Sequence, residues 1–166
     1  PGLWQFSIEH YRSRNGEPQK ISIYSAIKEA PGSEIDINIW LVALEGNPAA
    51  DDPDLAKLRQ NFATSLASFG ITVRATQLHI LADETARRLT YLDPTTDRNN
   101  NNQPDDMDEL FALSEQAGNN YLNFFLVTNI QRLGILGIAG GIPGPPLLNG
   151  TAHSGVVINT FGGLAT

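Results

Sequence analysis

The chain has no cysteine among its 166 residues. That excludes disulfides, cysteine nucleophiles and thiolate metal sites, although it does not fix the compartment. Positive charge is also scarce: 11 Lys and Arg stand against 18 Asp and Glu, a formal net charge of −7. No Lys/Arg cluster occurs, which argues against nucleic acid and anionic membrane surfaces as partners. There is no apolar run of membrane-spanning length and no signal peptide, so membrane insertion is not expected. Catalytic signatures are missing too. There is no G-x-S-x-G elbow, no P-loop and no dinucleotide fingerprint. Ser154-Gly155 has no base beside it in sequence to make the serine a nucleophile. GGIPGP has glycines, but no helix follows that could hold a phosphate. His10, His79 and His153 have no second His or Cys at ligand spacing, so no zinc site is encoded locally. His79 reads as a packed strand residue. His153, after the Gly/Pro-rich stretch, is the one histidine with a claim to lie near a site.

What is present suffices for a domain with a core: hydrophobic residues make up 41% of the chain and charged residues 17%. A chain that starts at Pro1 without an initiator methionine is expected to be a processed or excised piece. The most specific stretch is Asp97–Asp108, DRNNNNQPDDMD. Oxygen-bearing side chains fall at its first, third, fifth, ninth and twelfth positions: Asp97, Asn99, Asn101, Asp105 and Asp108. The seventh, Gln103, needs to offer only its backbone carbonyl. This is the ligand spacing of an EF-hand-type calcium loop, because a chain curling round a hard cation brings alternate residues inward. Asn102 takes the place of the usual sixth-position glycine and is among the few residues that tolerate the left-handed turn. The final ligand is Asp108, not Glu, as in the dockerin and thrombospondin-type loops that the stretch resembles. Two neutral Asn ligands imply weak binding, about 10⁻⁴–10⁻³ M, useful only where calcium is abundant and hence outside the cell. The bland reading is a polar turn capping a helix.

Along the chain, residues 1–31 read as a β-hairpin turning at Asn15-Gly16. They either pack on the rest or close a preceding β-sandwich domain, with a boundary at Pro31-Gly32-Ser33. Residues 32–166 form the main unit. Ile35–Val42 alternates as a strand, with Ile35, Ile37, Ile39 and Leu41 on one face. Asp52 and Pro53 start a helix that Gly70 ends, and its stripe is Leu55, Leu58, Phe62, Leu66 and Phe69. Ile71–Leu81 returns as a strand whose alternation slips phase, so we expect a bulge near Thr76-Gln77. Strand, helix and strand make a βαβ unit with parallel strands. Residues 82–92 suit a short helix. Asp105–Ala117 should be a helix burying Met107, Leu110, Phe111 and Ser114, stopped by Gly118. Tyr121–Val127 is apolar enough to be covered on both faces. A short strand within Gly134–Pro146 and a last one at Ser154–Asn159 follow. The fold class is therefore α/β, a mixed twisted sheet with helices packed on it, with α+β as the alternative. Asn149-Gly150-Thr151 matches a glycosylation sequon, which is common by chance.

IDINIWLV, DELFALSEQAGNNYLNFFLV, GILGIAGGIPGPP and GTAHSGVVINTFG, in that order, resemble the N-terminal half of a secreted bacterial zincin-type metalloprotease domain. The resemblance covers Ile35 to Thr166, and its motifs are apolar and of modest specificity. It implies a zincin-like subdomain, a peptide or protein substrate, and an edge strand at Leu136–Ala139 that borders the cleft and pairs with extended substrate. In that family such a progression leads into a helix bearing H-E-x-x-H. No such motif occurs here, so no catalytic residue is carried over, and zinc is implied only if the chain continues past Thr166. Two readings follow. One is a fragment of a secreted zinc-dependent peptidase, inactive as it stands, with a structural calcium site. The other is a non-catalytic, calcium-stabilised extracellular domain for adhesion, assembly or binding. Oligomeric state is left open by the sequence.

Overall fold

A computed structural model describes residues 33–44, 51–98, 104–118, 121–132, 134–140, 149–151 and 154–161. The hairpin expected over residues 1–31 lies outside this set. The longest interior strand is β1 (Glu34–Val42), flanked by β2 (Thr72–Leu81) and β4 (Leu122–Val127), both parallel to it. The sheet order is β2-β1-β4-β7-β6, with β7 (Val156–Asn159) parallel to β4 and β6 (Gly137–Ala139) antiparallel to β7. The fold is α/β, and β1, its following helix and β2 form the βαβ unit that the sequence implies.

That helix, α1, spans Pro53–Ala67; Asp52 caps it by accepting the Asp54 N–H at 2.8 Å, and Pro53 sits at its first position, where a missing N–H costs nothing. Leu55 is fully buried, and Leu58 and Phe62 pack with it against Ile37, Ile39, Leu41 and Leu126 on one face of the sheet. Burying one such leucine contributes about 1.5–3 kcal/mol. Phe69 departs from the expected stripe and is 80% exposed. The helix ends at Ala67 with Ser68 as its cap, so Phe69 already lies in the turn before Gly70 (φ +73°), and helical periodicity no longer sets its direction. The phase slip in β2 is real but occurs earlier than Thr76-Gln77. Ile35 pairs with Val73 and Asp36 with Ala75, which leaves Arg74 as the extra residue. Arg74 turns outward and forms an ion pair with Asp36.

The opposite face is covered by α2 (Glu84–Leu89) and α3 (Asp105–Ala112), whose Ala86, Leu89, Met107, Leu110 and Phe111 close over Trp40, Val42, Phe125, Val127 and Val157. Asp83 caps α2 by accepting the Ala86 N–H at 2.8 Å. After Ala112 the chain tightens into a 3-10 helix, Leu113–Ala117, and Gly118 (φ +66°) ends it in the left-handed region. Two elements were not legible in the sequence: β3 (Tyr91–Leu92) and β5 (Asn129–Ile130) form a separate two-stranded parallel sheet, joined beside it by the Thr90 and Thr128 hydroxyls at 2.9 Å. Among the described residues, no helix is long and apolar enough to cross a membrane.

Candidate functional site

Three parts of the fold bear on function: the acidic loop before α3, a polar cluster inside the sheet, and the free edge of β6. In the loop, Asp105 is the first residue of α3 and Asp108 lies one turn further, both half-buried. The Asp105 N–H donates to Thr96 O at 2.8 Å and the Arg98 N–H donates to Asp105 Oδ1 at 3.0 Å. These bonds pin the two ends of the loop together and bring Asp97 to the start of α3. Asn99, Asn101 and Gln103 lie outside the described residues. Among the described residues, no three His, Asp or Glu side chains form a group able to hold a metal. Arg98 Nε lies 3.8 Å from Asp105 Oδ2, so any cation at this carboxylate meets a competing guanidinium.

Other acids around the loop have structural partners. Asp93 Oδ1 accepts the Thr95 N–H at 2.8 Å and the Thr95 hydroxyl at 2.6 Å, and Oδ2 accepts the Thr96 hydroxyl at 2.6 Å. The hydroxyls of Thr95 and Thr96, more than the Thr95 backbone, lower the Asp93 pKa to about 2. Asp106 receives the Asp93 N–H at 2.9 Å and Arg88 at 2.9 Å, while Arg88 also bonds Glu109. Arg88 thereby ties α2 to the acidic first turn of α3, where negative charge also suits the helix dipole.

The polar cluster was missed from sequence. Asn38 and Asn123 face each other on β1 and β4, both fully buried. Asn123 Oδ1 accepts Trp40 Nε1 and Asn38 Nδ2, each at 2.9 Å. Its Nδ2 donates to Asn149 Oδ1 and Ser154 O, each at 2.8 Å. All four hydrogen-bonding sites of the amide are used, and Trp40, which can only donate, fixes its orientation. Gly155 packs so close that a Cβ there would meet Asn123 O at 2.5 Å. The Ser114 and Ser154 hydroxyls lie 2.9 Å apart within reach of Phe111 O, and the Gly150 N–H donates to Ser114 Oγ at 2.7 Å. An Asn in the middle of IDINIWLV and another in YLNFFLV were the available signal, since an amide in a doubly covered strand needs buried partners.

His79 stacks on Trp40 with ring centroids 3.9 Å apart, and its Nε2 lies 3.2 Å from Asn38 Oδ1. Burial lowers its pKa. His79 is thus a half-buried member of the cluster's rim, while His10 and His153 lie outside the described residues. Ser154 is fully buried with hydroxyl and carbonyl partners, which does not suit a nucleophile.

At the sheet edge, the Asn159 N–H donates to Leu136 O at 2.9 Å and the Gly140 N–H to Gly155 O at 3.0 Å. In an antiparallel ladder every second residue bonds the neighbour. Leu136, Ile138 and Gly140 therefore face β7, and Gly137 and Ala139 direct their N–H and C=O groups away from it. No other strand pairs with that edge among the described residues. Glycine at 137 is required by close approach, since a Cβ would lie 2.8 Å from Val157 O. A depression of about 250 Å³ at the carboxyl ends of β5 and β7, lined by residues including Asn129, Arg132, Asn159 and Phe161, is below the roughly 300–1,000 Å³ of small-molecule pockets. No protein-family model matches the chain, and no curated protein matches it.

Proposed function

We propose that the chain is the N-terminal part of a secreted zinc-dependent peptidase domain, inactive as it stands, with a structural calcium site in residues 97–108. The observation that carries this reading is β6. Among the described residues it is the single antiparallel strand of an otherwise parallel sheet, it falls on the segment the zincin resemblance assigns to substrate pairing, and it offers the Gly137 and Ala139 backbone groups outward. An extended peptide adds to such an edge through main-chain bonds. The residues described here do not fit zinc: His79 is stacked and faces an amide, and no acid or second histidine joins it. We therefore assign no hydrolytic step to this chain. The loop suits calcium better. Asp105 and Asp108 open α3 at the ninth and twelfth loop positions, as the helix leaving such a loop requires.

The purified chain should not cleave casein or unfolded peptides, with or without zinc, whereas a chain extended through an H-E-x-x-H helix should do so in a chelator-sensitive way. Chelator-sensitive proteolysis by the 166-residue chain would overturn the inactive assignment. A natural end at Thr166 would instead favour the non-catalytic, calcium-stabilised extracellular binding domain. Millimolar calcium should raise the melting temperature by mass action, and Asp97→Ala or Asp108→Ala should abolish the rise. Arg98→Ala should tighten calcium, because it removes the competing guanidinium. Calorimetry without any calcium-dependent shift would remove the calcium site.

A further inference from the structure

The Asn149-Gly150 pair is bound into the polar cluster at both of the groups that could react with each other. In an Asn-Gly pair the backbone nitrogen after the asparagine is unhindered, because glycine has no Cβ. That nitrogen can lose its proton and attack the asparagine Cγ. A new N–C bond closes a succinimide, the bond from Cγ to the side-chain nitrogen breaks, and ammonia leaves with the proton. Water then opens the ring at one carbonyl to aspartate or at the other to isoaspartate. Only water is consumed, and no oxidation state changes.

In the folded protein, the Gly150 N–H is held by Ser114 Oγ at 2.7 Å, and the Asn149 amide oxygen is held by Asn123 Nδ2 at 2.8 Å. Neither anchor is free to follow the reacting groups. Ser114 is fully buried and bound between Phe111 O and Ser154 Oγ. Asn123 is fully buried and fixed from the other side by Trp40 and Asn38. Gly150 is further confined at φ +73°, with the Glu115 side chain 3.3 Å from where a Cβ would stand. Deprotonation of the Gly150 nitrogen therefore has to break its bond to Ser114 first, and the bond to Asn123 restrains the Asn149 amide from turning toward that nitrogen.

We infer that Asn149 is a latent deamidation site, kept unreactive by Ser114 and Asn123 and released when the polar cluster opens. The product also resists re-closure. An isoaspartate lengthens the main chain by one methylene and carries the Gly150 nitrogen off Ser114, and either product brings a negative charge against the buried amide cluster. Opening of the cluster is thereby written into the chain as a covalent mark.

The test follows the one-dalton mass gain of the peptide containing residue 149 during incubation of the full chain at mildly alkaline pH. A synthetic LLNGTA peptide serves as the unstructured reference, and the chain's other Asn-Gly pair, Asn15-Gly16, is read on its own peptide. The folded chain should react roughly 10-fold or more slowly than the reference, from two hydrogen bonds of ordinary strength. Ser114→Ala, removing the acceptor of the Gly150 N–H, should speed the reaction roughly fivefold. If that variant does not fold, the wild-type rate measured through a denaturant titration should climb to the reference rate along the unfolding transition seen by circular dichroism. Folded wild type reacting at the reference rate, folded Ser114→Ala reacting at the wild-type rate, or a rate that ignores the unfolding transition would each overturn the inference.

Discussion

On one side of β1, Ile37, Ile39 and Leu41 meet Leu55 of α1 and Leu126 of β4 in one apolar cluster. On the other side, Trp40 lies against Phe125 with ring centroids 5.5 Å apart, yet it shares that buried surface with Asn38 and Asn123. The two faces belong to the same strands and are equally shielded from water, but they tolerate change differently. The apolar face needs volume and shape, and neighbouring side chains can partly relax into a gap. The mixed face needs every donor and acceptor met, because an orphaned buried group forfeits its hydration with nothing in return. The apolar side works by local sequence pattern, and the polar side by partners drawn from segments far apart in the chain.

The largest effect should come from breaking the polar face at its hub. Asn123→Ala strips partners from Trp40, Asn38 and Ser154 at once and should cost about 4 kcal/mol, from several orphaned groups at about 1–3 kcal/mol each. Leu55→Ala on the apolar face should cost less, about 3 kcal/mol, as for a fully buried leucine. Urea unfolding of both variants compares the faces directly, and a cost at Asn123 below that at Leu55 would break the comparison. Phe62→Ala should be smaller still, about 2 kcal/mol, since this ring is half-buried against Phe124 and falls below the range for enclosed aromatics. Lys57 is exposed on α1, and Lys57→Ala should leave the unfolding midpoint unchanged.

The smallest effect concerns charge at the surface. Asp93 has a folded pKa of about 2, below its value of 3.8 without partners. A lowered acid pKa means that the stabilisation is present above pH 3.8 and is lost as pH falls toward 2. The carboxylate is partly exposed, so solvent screening reduces the energy involved. Thr96→Val removes one hydroxyl donor and should raise the Asp93 pKa followed by NMR titration. An unchanged titration would show that Thr95 alone holds the carboxylate. At the β6 edge of the five-stranded sheet, Ala139→Pro would delete one outward N–H while keeping the β7 ladder. This change is tolerated in edge strands and should weaken binding of an extended peptide without lowering stability. Unchanged peptide binding would separate the β6 edge from substrate pairing.

Much of this architecture was legible from residues alone. The alternation of IDINIWLV located β1 and both of its faces, and Asp52, Pro53 and Gly70 bracketed α1. Met107, Leu110, Phe111 and Ser114 are all buried, as their spacing implied. The failures sit where local period stops governing. Phe69 follows the last helical residue, and the bulge at Arg74 was misplaced because burial on an edge strand is too uneven to mark the slip. The two-residue strands β3 and β5 are too short for any alternation. Of the loop residues proposed for calcium, Asp105 begins α3 where the sequence pattern starts a helix and Asp108 lies one turn on, while Asn99, Asn101 and Gln103 lie outside the described residues.

Hydrophobic period, caps and glycines by themselves determined the kind and order of the main elements, because those signals act between residues a few positions apart. Only the tertiary structure decided which strands neighbour one another beyond the β1–β2 unit, that β6 runs against the rest, and that Asn123 meets Asn38 across 85 positions, Ser154 across 31 and Asn149 across 26. An amide in a strand announces that it needs partners. Which partners it finds depends on the sheet order that brings distant segments within 3 Å, and no local pattern encodes that order.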